Sequence, residues 1–151
     1  MKKVLLTICV GSFIFACKKN NTPASANLDL TVNNIKGTYK ATDATFLPLN
    51  TTSEISVFSD SLYKPCKKDD LFKFDSLGVF TYADSGLFCM PKENYSSPYT
   101  LTQPSTLVYN SKTYSVVTLN TTQLTISRVD SALYGSIYIK GTFKVFLTKQ
   151  P

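Results

Sequence analysis

The 151-residue sequence has no histidine, no tryptophan and a single arginine, Arg128. Without histidine, neither a Ser–His nor a Cys–His nucleophile pair can be assembled. The commonest transition-metal ligand is missing as well. No GxSxG elbow, P-loop or GxGxxG turn occurs. Adjacent carboxylates occur at Asp69-Asp70, after Lys67-Lys68. Consecutive strand residues point to opposite faces, so these two cannot by themselves form a paired-carboxylate site. A strand-entry turn with local charge pairing is the reading they favour. The sequence therefore offers no catalytic residues, no metal ligands, no cofactor motif and no positive reason to expect an enzyme.

Basic residues number 16 against 10 acidic ones, almost all are lysine, and they are scattered. Nucleic-acid readers gather Arg and Lys on one face, so nucleic acid is not an expected partner. No apolar run reaches the roughly 20 residues of a membrane-spanning helix. No window carries a helical period of useful length, and no internal repeat is present.

Among what is present, the N-terminus is the most legible. Lys2 and Lys3 precede an apolar run, Val4 to Phe15, interrupted only by the mildly polar Thr7 and Ser12. That charge and length suit the n- and h-regions of a secretory signal. The run ends Ile14-Phe15-Ala16-Cys17, which resembles the bacterial lipobox. The resemblance implies cleavage before Cys17 and a diacylglyceryl thioether on its sulfur. The expected organisation is a signal over residues 1–16, a lipidated N-terminus and polar tether over 17–34, and one domain over 35–151. The expected location is the cell envelope, lipid-anchored, at the outer membrane, with membrane lipid as a partner through Cys17. Loss of the signal leaves 135 residues and a net charge of +4.

Cys9 leaves with the signal and Cys17 takes lipid, so Cys66 and Cys89 remain. In an oxidising compartment an even pair is expected to form a disulfide. With no histidine and no CxxC spacing, a metal site has little support.

From Ile35 onward, short runs of Thr, Val, Ile, Tyr and Phe alternate with Gly, Pro, Asn, Asp and Ser, which is strand composition. Leu71–Asp75 and Val79–Tyr82 flank an Asp75-Ser76-Leu77-Gly78 turn, and Thr106–Tyr109 and Lys112–Leu119 flank Asn110-Ser111. Thr122–Val129 follows Asn120-Thr121, while Gly37–Phe46 and Glu54–Phe58 add two more strands. Near the end, Ile137, Ile139, Phe143, Val145 and Leu147 share one parity against Lys140, Thr142 and Lys144, which marks a half-buried antiparallel strand. Gly141 within it suggests a bend or bulge. A helical turn is expected at most around Asp60–Tyr63. Eight or nine short strands linked by tight turns predict an all-β domain, an up-and-down barrel or a sandwich.

Ten Phe and nine Tyr supply either the lining of a pocket or a filled core. Hairpin partners share a sheet face, so Phe72, Phe74, Phe80 and Tyr82 can all point inward and are candidate walls for a ligand. Three Asp-Ser-aliphatic triplets, starting at Asp60, Asp75 and Asp130, look like the short O-glycosylation acceptor of exported Bacteroidetes proteins. They are equally ordinary turn chemistry.

Taken together, Ile35-Lys36-Gly37-Thr38-Tyr39, the Cys66-Lys67-Lys68-Asp69-Asp70-Leu71-Phe72-Lys73-Phe74 stretch, Asp75 to Phe80, Cys89, Tyr114–Leu119 and Gln123–Ile126 resemble the lipocalin-like lipoproteins of Bacteroidetes-type bacteria. The likeness spans about residues 35–147. It implies an antiparallel up-and-down lipocalin-like barrel of about eight strands. Tyr39 stands where lipocalins carry the tryptophan that plugs the closed end, and so becomes a fifth ligand-binding candidate. The implied function is binding of a small apolar or amphipathic ligand. The alternative is a filled barrel that docks a protein partner in the envelope.

The lipobox reading has a direct test. Cys17→Ala should abolish lipid attachment and move the protein from the membrane fraction to the soluble fraction on cell fractionation. Membrane partitioning unchanged by the replacement would refute the anchor.

Overall fold

The computed structural model describes residues 26–59, 63–134 and 136–151. The expected signal, Cys17, the first part of the tether and most of the expected helical turn (residues 60–62) lie outside them. Nine strands form a single antiparallel sheet: β1 (Gly37–Pro48), β2 (Ile55–Ser56), β3 (Leu71–Phe74), β4 (Val79–Ala83), β5 (Asn94–Thr102), β6 (Thr106–Tyr109), β7 (Lys112–Leu119), β8 (Gln123–Tyr134) and β9 (Ile137–Lys149). From β3 to β9, each strand pairs with the next in sequence. β1 then pairs with β3 through Gly37–Lys40 and with β9 through Tyr39–Pro48. That double pairing closes an eight-stranded barrel, with β2 as an extra strand beside Thr45 and Phe46.

Strand propensity and tight turns account for the meander. Asn110 and Ser111 both take positive φ (47° and 57°), the signature of a two-residue hairpin turn whose twist suits its strands. Asp75 Oδ1 accepts from Leu77 N and Val79 N at 2.8 Å each and closes the β3–β4 turn. Asn120 Oδ1 does the same for Thr122 N and Gln123 N between β7 and β8. Register shifts at Ala41/Asp43 and Val116/Thr118 place bulges in β1 and β7, where the barrel wall must coil.

Three expectations change. Gly141 introduces no bulge: β9 pairs with β8 straight through it, and its ladder with β1 ends at the Pro48–Gly141 pair with no shift of register there. A Cβ there would lie 2.3 Å from the Leu47 carbonyl oxygen and 2.6 Å from the Phe46 ring, so glycine lets the Phe46 ring lie over the strand. β5, which composition left unassigned, spans nine residues; Pro98 pairs with Val79, the first residue of β4, at the end of that ladder. Residues 28–35 are docked, although 28–34 were expected in the tether: Leu28 N donates to Leu119 O at 2.7 Å, Leu30 is buried, and a single helical turn α1 (Val32–Ile35) is capped by Thr31. Leu28, Leu30, Val32 and Ile35 supply the apolar contacts that make this segment a plug.

That plug defines a closed end. Ile35 and Tyr39 are fully buried, and the Tyr39 hydroxyl donates to Ile35 O at 2.8 Å. Above Tyr39, the Phe74 ring meets Tyr39, Phe80 and Tyr99 at 6.1, 5.0 and 5.3 Å between centroids, filling the lower barrel with aromatic side chains. At the other end β1, β8 and β9 run on past the barrel. There Ala44, Phe46, Val57 and Ala132 form a second, smaller core under the β2 segment. Among the described residues no helix is long and apolar enough to cross a membrane.

Replacing Gly141 with alanine should cost about 1–3 kcal/mol, as overpacking against backbone does. Urea denaturation should show a lower midpoint with an unchanged slope, and an unchanged midpoint would refute the close approach.

Candidate functional site

The upper barrel is not filled. A cavity of about 420 Å³ opens at the end opposite the plug. Its wall is a ring of aromatics: Phe72, Tyr82, Tyr95, Tyr109 and Tyr114, which the barrel strands bring to one face. Cross-strand pairing puts Phe72 opposite Tyr82 and Tyr82 opposite Tyr95, so alternation along three strands yields one continuous aromatic surface. Tyr82 stacks on Tyr95 at 5.2 Å, and Tyr109 stacks on Tyr114 at 4.4 Å with planes 4° apart. Burial pushes the phenols of Tyr63, Tyr82, Tyr95 and Tyr109 above their ordinary value, so all four stay neutral.

The fixed charges are therefore those of Lys67, Glu93, Lys112, Arg128 and Asp130. Lys67 pairs with Glu93 at 2.9 Å, and Arg128 pairs with Asp130 on the same face of β8. Arg128 also lies 5.6 Å from the centre of the Tyr114 ring and Lys67 6.0 Å from that of Tyr82. The cavity is thus an aromatic cage with phenolic and charged edges, and purely aliphatic residues contribute only Ile126 and Val145.

One side of the mouth is a loop, residues 84–93, held rigidly from below. Cys66, in a 3₁₀ turn (Pro65–Lys67), is disulfide-bonded to Cys89, tying the segment before β3 to the segment after β4. On the chain-entropy model a bridge closing 23 residues contributes roughly 3 kcal/mol. Three carboxylates fasten the same loop. Asp84 accepts from Cys89 N and Glu93 N, Asp69 from Leu87 N at 2.7 Å, and buried Asp70 from Ser85 N and the Tyr82 hydroxyl. Asp69-Asp70 is thus a loop anchor, with the two side chains serving different backbone donors. Burial raises the Asp70 carboxyl above its ordinary value, while the Tyr82 hydroxyl and Ser85 N work against that rise. Among the described residues no group of three or more metal-type side chains could hold a metal ion.

Of the five candidate side chains, Phe72 and Tyr82 line the cavity. Tyr39, Phe74 and Phe80 point into the same barrel but pack below the cavity as its floor and core, all at most 1% exposed. All five share the inward face: parity and the hairpin grouped Phe72, Phe74, Phe80 and Tyr82, and the resemblance added Tyr39; depth along the barrel separates them, and no local pattern encodes depth. Tyr95, Lys67, Glu93, Lys112, Arg128 and Asp130 were not candidates. Arg128 carried one available signal, the chain's only arginine on the strand parity of Leu124 and Ile126. No known protein family, curated protein or solved structure matches the chain.

Tyr82→Phe leaves the buried Asp70 carboxylate short of a donor, so the loss should be about 1–3 kcal/mol at neutral pH. Removing that donor raises the folded-state value of Asp70 further, whereas its unfolded value stays at the ordinary one. The variant then binds a proton more readily when folded, and its deficit shrinks as pH falls toward the carboxylate range. Urea denaturation of both proteins at pH 7 and pH 4 checks this, and a deficit that does not change with pH would refute it.

Proposed function

We propose that this chain is a lipocalin-like lipoprotein of the cell envelope, held by lipid on Cys17, whose barrel carries one small amphipathic ligand in the mouth cavity. The observation that carries the reading is the half-filled barrel. Below, the plug and the rings of Phe74 and Phe80 exclude solvent and ligand alike; above, a space of about 420 Å³ stays open between aromatic walls. That volume lies in the range of small-molecule sites, and its aromatic walls offer the apolar contact such sites use, with charged and phenolic groups at their edges. The docked N-terminal segment adds orientation. It crosses the closed end at Leu119, which supports a lipid on Cys17 nearest that end and a mouth facing away from the membrane. A ligand then exchanges with the aqueous side.

The reading with a filled barrel and an envelope protein partner draws on a different feature. The β8–β9 hairpin runs beyond the barrel and exposes Val129, Leu133 and Tyr138 on one face. That strip is narrow, and the cavity asks for an occupant more directly.

Thermal-shift screening of small aromatics, haem and lipids should find a compound that stabilises the protein. At a hundredfold excess over its dissociation constant the gain is about 2.7 kcal/mol. Val145→Trp, which places an indole in the cavity, should abolish the shift while preserving the far-UV circular dichroism spectrum. No shift with any of these compounds would refute the binding reading.

A further inference from the structure

The cavity wall narrows the class of ligand, and the narrowing rests on the binding reading above. We propose that the cavity takes a small aromatic acid: a planar ring system bearing one carboxylate-like anionic group, with the anion in the guanidinium fork of Arg128 and the ring among the tyrosines.

The first ground is Arg128 itself. It is the chain's only arginine, and its strand turns it into the cavity. The ring of Tyr114 on one side and the carboxylate of Asp130 on the other hold its guanidinium in place. Asp130 already accepts from Nη2 of this guanidinium, and a carboxylate is the group that a planar guanidinium can bind in bidentate fashion. The Asp130 side chain is 41% exposed, so it can swing to water and be solvated when another anion enters. A ligand would then replace an internal contact, with no need to organise a new one.

The second ground is charge. Three cations line the cavity against two carboxylates, and Lys112 has no carboxylate partner among the described residues. An anionic ligand completes this balance. A cationic one would have to take Glu93 from Lys67 or Asp130 from Arg128, leaving a further positive charge unpaired in a half-buried site.

The third ground is shape and surface. Seven of the sixteen lining residues are aromatic and two are aliphatic, so an acyl chain would lie against ring edges and phenol hydroxyls that it cannot use. A ring presents a face and an edge to such walls, where offset and edge-on contacts are favourable. The space equals about fourteen water volumes at ~30 Å³ each, enough for a fused ring with one substituent.

The test is isothermal titration of the full chain with 2-naphthoate, its neutral counterpart 2-naphthamide, and dodecanoate. We expect naphthoate to bind at least about tenfold more tightly than naphthamide, as a charge-assisted pair should. Arg128→Gln should bring the two within about twofold of each other, and Asp130→Asn, which removes the competing carboxylate, should tighten naphthoate. The comparison of two ligands on the unaltered protein stands even if a variant folds poorly. Equal binding of naphthoate and naphthamide, lost in Val145→Trp, would overturn the anion assignment and leave the cavity a ligand site. Tighter binding of dodecanoate, lost in the same variant, would overturn the aromatic assignment. A naphthoate preference that survives Arg128→Gln would overturn the role of that residue. Absence of binding by all three would overturn this inference together with the binding reading.

Discussion

Everything in this fold depends on β1 being paired along both edges. Its first residues bond to β3 and most of its length bonds to β9, so the meander returns to its own beginning and the barrel closes. Closure also creates an inside. Until β1 and β9 meet, the inward parity of eight strands is one face of an open sheet. Once they meet, that face becomes a barrel interior whose contents are set by side-chain size.

Size then divides the interior. Near the closed end, Tyr39, Phe74, Phe80, Tyr99 and Leu107 interlock above a plug made by Leu30 and Ile35, and no space for a guest remains. Toward the mouth the strands diverge, and β1, β8 and β9 continue into a separate small core around Phe46. The aromatic rings there pack on their neighbours along the wall, as in the parallel Tyr109–Tyr114 pair, while Tyr109 also reaches Phe74 and Phe80 of the filled core.

The mouth is also where polar chemistry concentrates. A disulfide, three carboxylates and the Tyr82 hydroxyl fix the β4–β5 loop, so the rim carrying Glu93 is held by covalent and buried polar links at once. Rigid support of this kind places Lys67 and Glu93 opposite Arg128 and Asp130 without using either ion pair for folding. Both pairs are partly exposed, and exposed pairs contribute at most about 1 kcal/mol. Groups that matter little to stability are free to matter to binding.

Much of this was legible in the order of residues. The strand read from Ile137 to Leu147, turn chemistry at Asp75, Asn110 and Asn120, and the even pair Cys66 and Cys89 each report on a local or pairwise constraint, and each appears as expected, although Ile137 itself lies exposed where β9 leaves the barrel. Gly141 and the docked residues 28–35 did not, because their reasons are a ring from β1 and the floor of a barrel that forms only after the whole chain has closed. The ligand candidates fall on the same boundary. Sequence by itself paired Phe72 with Phe74 and Phe80 with Tyr82, since a period of two needs no neighbours; the turn at Asp75 joined the two pairs, and Tyr39 came from the resemblance alone. Only the tertiary structure decided that two of them line a cavity and three fill a core, and that Arg128 and Lys67 join those two. Depth along a barrel is a property of register among eight strands, and register is set by pairings between residues more than a hundred positions apart.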